Sequence, residues 1–176
     1  MIGINVGSGQ RPFKSVGDAL WFNVDVNPKW MNPMLNTDII ASGDRLPMTD
    51  NYADTVVSHH CIEHVGLGEF DGHIREAHRI LKPRGSLIIT TPNLRSLVDR
   101  WTEGRITNYT FCVNLYGAYM NNEADRHKWL YTPQTLKNAV NASGVNWSCV
   151  KPFDFRSISG ADIAQDWWIQ GIEAIK

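Results

Sequence analysis

Short runs of apolar and β-branched residues alternate along this chain with segments whose apolar residues recur every three or four positions. The runs predict β-strands, and the helical spacing predicts amphipathic helices between them. Several runs are continuously apolar, as is typical of parallel strands covered on both faces. The predicted strands cover residues 2–6, 21–25, 38–42, 54–58, 86–91, 146–151 and 153–158. The pattern therefore predicts an α/β sheet with helices on both faces.

Three segments have the pattern of helices. Residues 69–81 place four apolar side chains on one face, and Lys-Pro-Arg-Gly at 82–85 ends that helix. Thr132 followed by Pro133 predicts the start of a second helix, which ends at Gly144. Residues 161–176 also have helical spacing and predict a third.

The connection between the first two predicted strands is unusually short. It has to fit between Gly9 and Trp21, and it contains Pro12 and Gly17, which disfavour a helix. We therefore expect an abbreviated first crossover.

Composition excludes several classes of partner. The 17 basic and 18 acidic residues give a net charge of -1, so we expect no nucleic acid as a partner. No apolar stretch reaches the roughly 20 residues of a membrane span, and residues 1–5 do not resemble a signal peptide. The three cysteines are far apart, which predicts reduced thiols and a cytoplasmic protein.

A glycine turn and a later aspartate are the first candidates for chemistry. Gly7 and Gly9 follow the first strand, where they let the backbone approach a ligand, and Asp25 ends the second strand. A carboxylate there can accept hydrogen bonds from a ribose. The pair fits an adenosine site, a dinucleotide site or a tight structural turn. Pro12 stands where a dinucleotide motif has its third glycine, which favours a cofactor without phosphates.

The order of the later motifs is more specific. Ser-Gly-Asp-Arg-Leu-Pro at 42–47 is followed by Asp-Thr-Val at 54–56, Ile-Glu-His at 62–64 and Leu-Lys-Pro-Arg-Gly at 81–85. This order resembles the class I S-adenosylmethionine-dependent methyltransferases. Within them, the chain is similar to a group of short predicted methyltransferases with an L-N-L-G-S-G…N-V-D pattern near the N-terminus and an H-K-W stretch, here at 127–129.

The resemblance implies a fold and a reaction. The fold is one Rossmann-like, doubly wound domain over residues 1–176, with a mostly parallel seven-stranded sheet, one antiparallel strand near an edge and no N-terminal lid. The reaction is methyl transfer from S-adenosylmethionine to a small-molecule or saccharide acceptor. Residues 94–130 would form an insertion that makes the wall of the acceptor site.

The resemblance also implies roles for individual residues. Asn5, Gly7, Ser8 and Gly9 would line the methionine part of the cofactor, and Asp25 would hold the ribose. The residues implied to contact adenine are Asp44, Arg45 and Leu46. Those implied to close the pocket near the sulfonium are Ser58 and His59. Two departures stand out, because Asn5 replaces a usual acidic residue and Arg84 replaces a usual glycine.

Histidines are the candidates for acid–base chemistry. His127 lies in the predicted acceptor wall, where it could deprotonate an acceptor or could anchor the insertion through a backbone carbonyl. His60 is a second candidate. Although His59, His60 and His64 crowd together, no convincing set of further ligands follows, and we expect no metal.

Other functions stay open at this stage. The chain could bind the cofactor without catalysing transfer, as a regulatory or partner protein, or it could be a dinucleotide or nucleotide-sugar enzyme. The adjacent Trp167 and Trp168 suggest a lid or a homodimer contact.

Overall fold

A computed structural model describes residues 1–9, 11–26, 37–118, 123–158 and 167–176. Seven strands form one sheet: β1 (Ile2–Val6), β2 (Leu20–Asp25), β3 (Ile39–Ile40), β4 (Ala53–His59), β5 (Leu81–Pro92), β6 (Cys149–Pro152) and β7 (Ile169–Ile175). The helices of the described residues are α1 (Phe70–Ile80), α2 (Leu94–Thr102), α3 (Asn108–Tyr116) and α4 (Pro133–Asn141), with short 3-10 turns at Ile62–His64, Glu123–Asp125 and Phe155–Ser157.

The strand order is β3-β2-β1-β4-β5-β7-β6. The pairs from β3 to β5 are parallel, and β7 runs antiparallel to both β5 and β6. This confirms the predicted seven-stranded, mostly parallel sheet with one antiparallel strand next to an edge. The strand order reverses between β1 and β4, which is where sheets of this kind bind ligands.

The core forms where helices cover the central strands. Helix α1 buries four apolar residues against the sheet: Phe70, Ile74, Ala77 and Ile80. Helix α4 packs on β6 and β7 through Leu136 and Val140, which are fully buried. Its predicted start is confirmed, because the Thr132 side chain accepts a hydrogen bond from the Thr135 backbone and Thr135 reciprocates in a capping box.

The first crossover is abbreviated, as predicted. In the described residues between β1 and β2 there is no helix, and Val16 and Ala19 close a tight turn through two backbone hydrogen bonds of 3.1 Å each. The buried side-chain amide of Asn23 holds this loop in place, as the packing of a helix would otherwise do. Asn23 accepts a hydrogen bond from the Phe13 backbone (2.7 Å) and donates one to the Phe13 carbonyl (3.0 Å), so the loop is fixed to β2.

Two predicted elements were wrong. Residues 167–176 do not continue a C-terminal helix, since Ile169–Ile175 form β7, in which residues 170, 172 and 174 are buried and alternate with less buried ones. Residues 161–166 of that prediction lie outside the described residues. The predicted strand at 153–158 contains a 3-10 turn instead, because the Asp154 side chain accepts a hydrogen bond from the Arg156 backbone and starts a turn.

Candidate active site

A cleft of about 750 Å³ opens at the carboxyl ends of β1, β2, β3 and β4. This volume lies in the range of small-molecule sites. Of the residues predicted to bind the cofactor, four line the cleft: Gly7, Gly9, Asp25 and Asp44. His60, one of the two candidate catalytic residues, lines it as well.

Gly7 fits only as glycine. Its φ of +67° is strained for residues with a side chain, and a Cβ there would collide with the side chain of Cys61. Gly7 and Ser8 each donate a backbone hydrogen bond to the Val24 carbonyl (2.8 and 3.0 Å), which fixes the turn over the end of β2. Burial raises the pKa of the Cys61 thiol to about 12, so this thiol stays neutral beneath the turn.

Asp25 is joined to the glycine turn. Its carboxylate accepts a hydrogen bond of 2.9 Å from the Gly9 backbone amide. A carboxylate has about four lone-pair sites, so it can accept from ligand hydroxyls at the same time. The exposed Val26 beside it adds an apolar surface to the same end of the cleft.

Asp44 lies across the cleft in the loop after β3. The hydrogen bond with Ser42 lowers the pKa of Asp44, and the nearby His73 lowers it further against the effect of burial. The carboxylate is therefore ionised at neutral pH. Gly43 has no room for a side chain, because a Cβ would lie 2.8 Å from Val6 and 2.7 Å from His73.

Asn5 does not line the cleft. It is buried, and its amide nitrogen donates both protons, to the Arg11 carbonyl (3.1 Å) and to the Asn23 side-chain oxygen (3.0 Å). Asn5 therefore holds the abbreviated crossover in place. An aspartate could not do this, which gives a physical reason for the departure from the acidic residue usual at this position.

The remaining predicted cofactor residues also lie behind the cleft surface or outside it. Ser8 is buried, and its hydroxyl has no hydrogen-bond partner among the described residues. Leu46 belongs to the core, and Arg45 is exposed. The Ser58 hydroxyl is hydrogen-bonded to Cys61.

His59 is buried against the crossover loop. Arginine can only donate, so the imidazole Nε2 accepts from the Arg11 guanidinium (3.2 Å) and Nδ1 donates to the Thr90 hydroxyl (2.5 Å). Burial lowers the pKa of His59 to about 4, with help from the charges of His60 and Arg11. The ring is a neutral structural link between β4, β5 and the loop.

His60 is at the bottom of the cleft. It has a φ of 51°, and its Nδ1 is 3.0 Å from a carboxylate oxygen of Glu63. The Trp168 ring lies against it at 5.2 Å between centroids, which gives this tryptophan a contact within the chain. Its neighbour Trp167 stacks under the Arg100 guanidinium at 4.6 Å.

His127 and His64 lie side by side, with ring centroids 4.9 Å apart. His127 Nδ1 bonds the Asn114 carbonyl at 2.9 Å, the anchoring contact weighed from the sequence. Burial lowers the pKa of His127. Glu63 lies beneath both rings and is fully buried. Burial by itself raises the pKa of Glu63, but the hydrogen bond from His60 and the nearby histidines outweigh it and lower the pKa.

Sequence reasoning missed several residues that line the cleft: Val26, Ala41, Ser42, Gly43, Cys61, His64, Val65, Glu69, His73, Ala118, Asp125 and Lys128. Sequence motifs pointed to only some of these residues. Ser42 and Gly43 stand inside a motif that was recognised, and His64 follows Glu63 in another. Lys128 stands in the H-K-W stretch, and the remaining residues had no motif that pointed to the cleft.

The chain is similar to known proteins both in sequence family and in structure. A family model described as a methyltransferase domain matches residues 1–89, half of the chain. A comparison with curated protein sequences found no match.

Solved structures share the fold. The chain is similar to a SAM-dependent methyltransferase from Archaeoglobus fulgidus, at 16% identity and a TM-score of 0.61, over 99% of this chain and 86% of that one. It is also similar to 1,6-didemethyltoxoflavin-N1-methyltransferase from Burkholderia thailandensis, solved with 1,6-didemethyltoxoflavin and S-adenosylhomocysteine, at 14% identity and a TM-score of 0.59, over 99% and 70%. These identities support a shared fold alone, and it is the class I methyltransferase fold.

Proposed function

The chain belongs to the methyltransferase-domain family that its first half matches, and from this premise we propose that it methylates a small-molecule or saccharide acceptor in the cleft. The cofactor of this class is S-adenosylmethionine. The chain is thus a methyltransferase, and the proposal concerns its acceptor and the residues that act on it.

One observation supports the proposal most: the cleft is lined by two chemically different groups of residues. The first group contains Gly7, Gly9, Asp25 and Asp44, with Val26 and Ala41 as apolar neighbours. The second group is polar and contains His60, His64, Glu69, Asp125 and Lys128. The first group fits an adenosine with its attached amino acid, and we assign it to a cofactor end of the cleft; the second group suits a polar acceptor, and we assign it to a polar end.

The residues of the cofactor end suit this ligand. The glycine turn lets the backbone approach a ligand closely, and the Asp25 carboxylate fits the two ribose hydroxyls. The ionised Asp44 fits the exocyclic amine of adenine. We propose that Asn5, Ser8, Ser58 and His59 act behind these residues, by holding the turn and the ends of β1 and β4.

Catalysis then depends mainly on placement. The bound cofactor supplies an activated methyl group, so the protein has to orient the acceptor and exclude water. His60 and His127 are the candidates for receiving a proton from the acceptor, and His60 is the one that lines the cleft.

The wider expectations remain predictions. These are the single domain over residues 1–176, the acceptor wall at 94–130, the likeness to the short L-N-L-G-S-G group, the cytoplasmic location and a homodimer. The described part of the wall contains α2 and α3, and Tyr109 and Tyr116 of α3 are exposed. No described helix combines the length and apolar character that a membrane span requires.

Thermal unfolding with separate ligands tests the cofactor end. S-adenosylmethionine and S-adenosylhomocysteine at about 100 times their Kd should each stabilise the fold by about 2.7 kcal/mol, a rise in Tm of roughly 5–10 °C, whereas NAD should have no effect. Asp25→Ala should weaken S-adenosylhomocysteine binding roughly 10- to 100-fold in calorimetry, because it removes charged hydrogen-bond acceptors.

Asp18→Ala is the matched control, since Asp18 is exposed in the turn between β1 and β2 and outside the cleft. Equal affinities of both variants and the parent would contradict the assigned ribose site. Release of S-adenosylhomocysteine in an acceptor screen of hydroxylated metabolites and saccharides tests transfer itself. Cofactor binding with no turnover on any acceptor, together with a stable protein partner, would favour the regulatory alternative.

A further inference from the structure

We propose that Glu63, His64 and His127 bind a divalent transition-metal cation at the polar end of the cleft. One potential ligand atom from each of these residues lies within 4.8 Å of the other two. Ligands that share one cation at about 2.1 Å are roughly 3–4 Å apart, so small side-chain rotations would complete the site. His64 itself lines the cleft, which puts the cation next to bound substrate.

The two imidazoles are already set in the form that binds metal. His64 Nδ1 contacts the Arg126 carbonyl (3.1 Å), and His127 Nδ1 contacts the Asn114 carbonyl (2.9 Å). A carbonyl only accepts, so each Nδ1 carries a proton, and in the neutral form of each ring the lone pair is then on Nε2. Histidines that ligate metals commonly donate their other N–H to such a carbonyl.

The third proposed ligand is the carboxylate of a buried residue, Glu63. Glu63 is fully buried, and its two oxygens accept hydrogen bonds from His60 (3.0 Å) and the Thr91 hydroxyl (2.9 Å). These bonds orient the carboxylate and leave further lone pairs for a cation. A cation bound there would pair directly with this buried carboxylate.

The backbone holds the two chain segments together. The amides of Lys128 and Trp129 both donate to the Glu63 carbonyl, at 2.8 and 3.2 Å. His127 therefore keeps its position beside Glu63 and His64, although more than 60 residues separate them in the chain. The sequence analysis expected no metal, because it weighed only the local cluster of His59, His60 and His64 and did not bring His127 next to it.

The ligand types select the cation. Two imidazoles and one carboxylate suit Mn²⁺, Fe²⁺, Co²⁺ or Zn²⁺ better than Mg²⁺ or Ca²⁺, and three ligands leave coordination positions open. A further consequence rests on the proposed function: an acceptor hydroxyl could occupy an open position. Polarised there, it would lose its proton to water, its oxygen would bond to the methyl carbon, and the carbon–sulfur bond would break to release S-adenosylhomocysteine.

Calorimetric titration of the metal-stripped chain with Zn²⁺ and Co²⁺ tests the site without any turnover. We expect one cation per chain, and visible absorption from bound Co²⁺. His64→Asn and His127→Asn should each weaken binding by at least about 100-fold, since loss of a ligand exceeds the effect of losing its hydrogen-bond partner. Asparagine keeps an N–H near the Nδ1 position, so the carbonyl contact is retained while Nε2 is removed.

His78→Asn is the control for metal binding, because His78 lies on α1 outside the cluster; its carbonyl contact, with Asn146, is made through Nε2 and is lost in this variant. The proposal fails if the parent binds no cation, or if the two cluster variants bind as well as His78→Asn. S-adenosylhomocysteine affinity is measured on the same samples. Cofactor binding without metal binding would overturn this inference and leave the proposed function intact. Metal binding without cofactor binding would support this inference and contradict the proposed function.

Discussion

At the residue scale, the site depends on side chains that support the binding surface without forming it. Gly7 and Asp25 face the cleft, whereas Asn5 and His59 fix the loop behind it. Sequence motifs locate all four residues but do not separate the two roles. The separation follows from hydrogen bonds between distant backbone segments, which a linear pattern does not contain.

Asn5→Asp tests the supporting role at this scale. The side chain keeps its shape but loses the two protons given to the Arg11 carbonyl and to Asn23. Asn23 cannot turn its amide over to compensate, because Phe13 uses both ends of it. One buried and one part-buried hydrogen bond become acceptor–acceptor contacts, and we expect a loss of about 2–4 kcal/mol in the free energy of unfolding.

Urea denaturation measures this loss, with Asn146→Asp as the control because Asn146 is exposed. A stability equal to that of the control would mean that the amide network does not hold the crossover.

At the element scale, helix α1 positions the loop that carries Asp44. Glu76 on α1 accepts hydrogen bonds from the Leu46 backbone (2.7 Å) and from Arg79 (2.8 Å), so the loop after β3 is tied to the helix. The amphipathic spacing of residues 69–81 predicted the helix. It did not predict this polar contact, since it reports only the apolar face.

Glu76 should make stability depend on pH. The hydrogen bonds from Arg79 lower its pKa in the folded protein below the unfolded value of about 4.5, against the effect of burial. Its stabilising contribution is therefore complete above about pH 4.5 and is lost as the pH falls through the folded pKa.

Glu76→Gln should destabilise the chain by about 1–3 kcal/mol at pH 7, and the difference from the parent should shrink below pH 4.5. Thermal unfolding at a series of pH values between 7 and 3 measures it. A difference that stays constant over this range would contradict the assignment.

At the scale of the whole molecule, motif order predicted the fold better than local periodicity did. The order of motifs from Gly7 to the segment at 81–85 predicted a mostly parallel seven-stranded sheet with one antiparallel strand near an edge, and the structure has this sheet. Local spacing failed at β7, because Trp168, Gly171 and Ile175 fall at helical spacing although residues 169–175 form a strand. His127 was a candidate from its motif, but its contact with His64 was not predicted, because β5, α2 and α3 separate the two residues in the chain.

Lys176, which follows β7, links the last strand of the sheet to helix α1. Its ammonium donates to the carbonyls of His78 (2.8 Å) and Leu81 (2.7 Å) at the end of α1. Lys176→Met keeps the apolar stem and should cost about 1 kcal/mol, or a Tm decrease of roughly 2–4 °C.

Lys151→Met is the comparison, because Lys151 forms an exposed ion pair with Glu173, and solvent-screened pairs of this kind contribute little to stability. Equal Tm values for the two variants would show that the contact with α1 is not stabilising.

The abbreviated crossover has a consequence for how the chain folds. The two strands β1 and β2 are close in the chain, since residue 2 pairs with residue 20. The strands β5 and β7 are far apart in the chain, since residue 86 pairs with residue 175. The entropy lost on closing a loop grows with its length, and contacts between near neighbours form faster. We therefore expect the β1–β2 pair, which carries the Gly7 turn and Asp25, to form among the earliest native contacts of the sheet, and the antiparallel edge to form last.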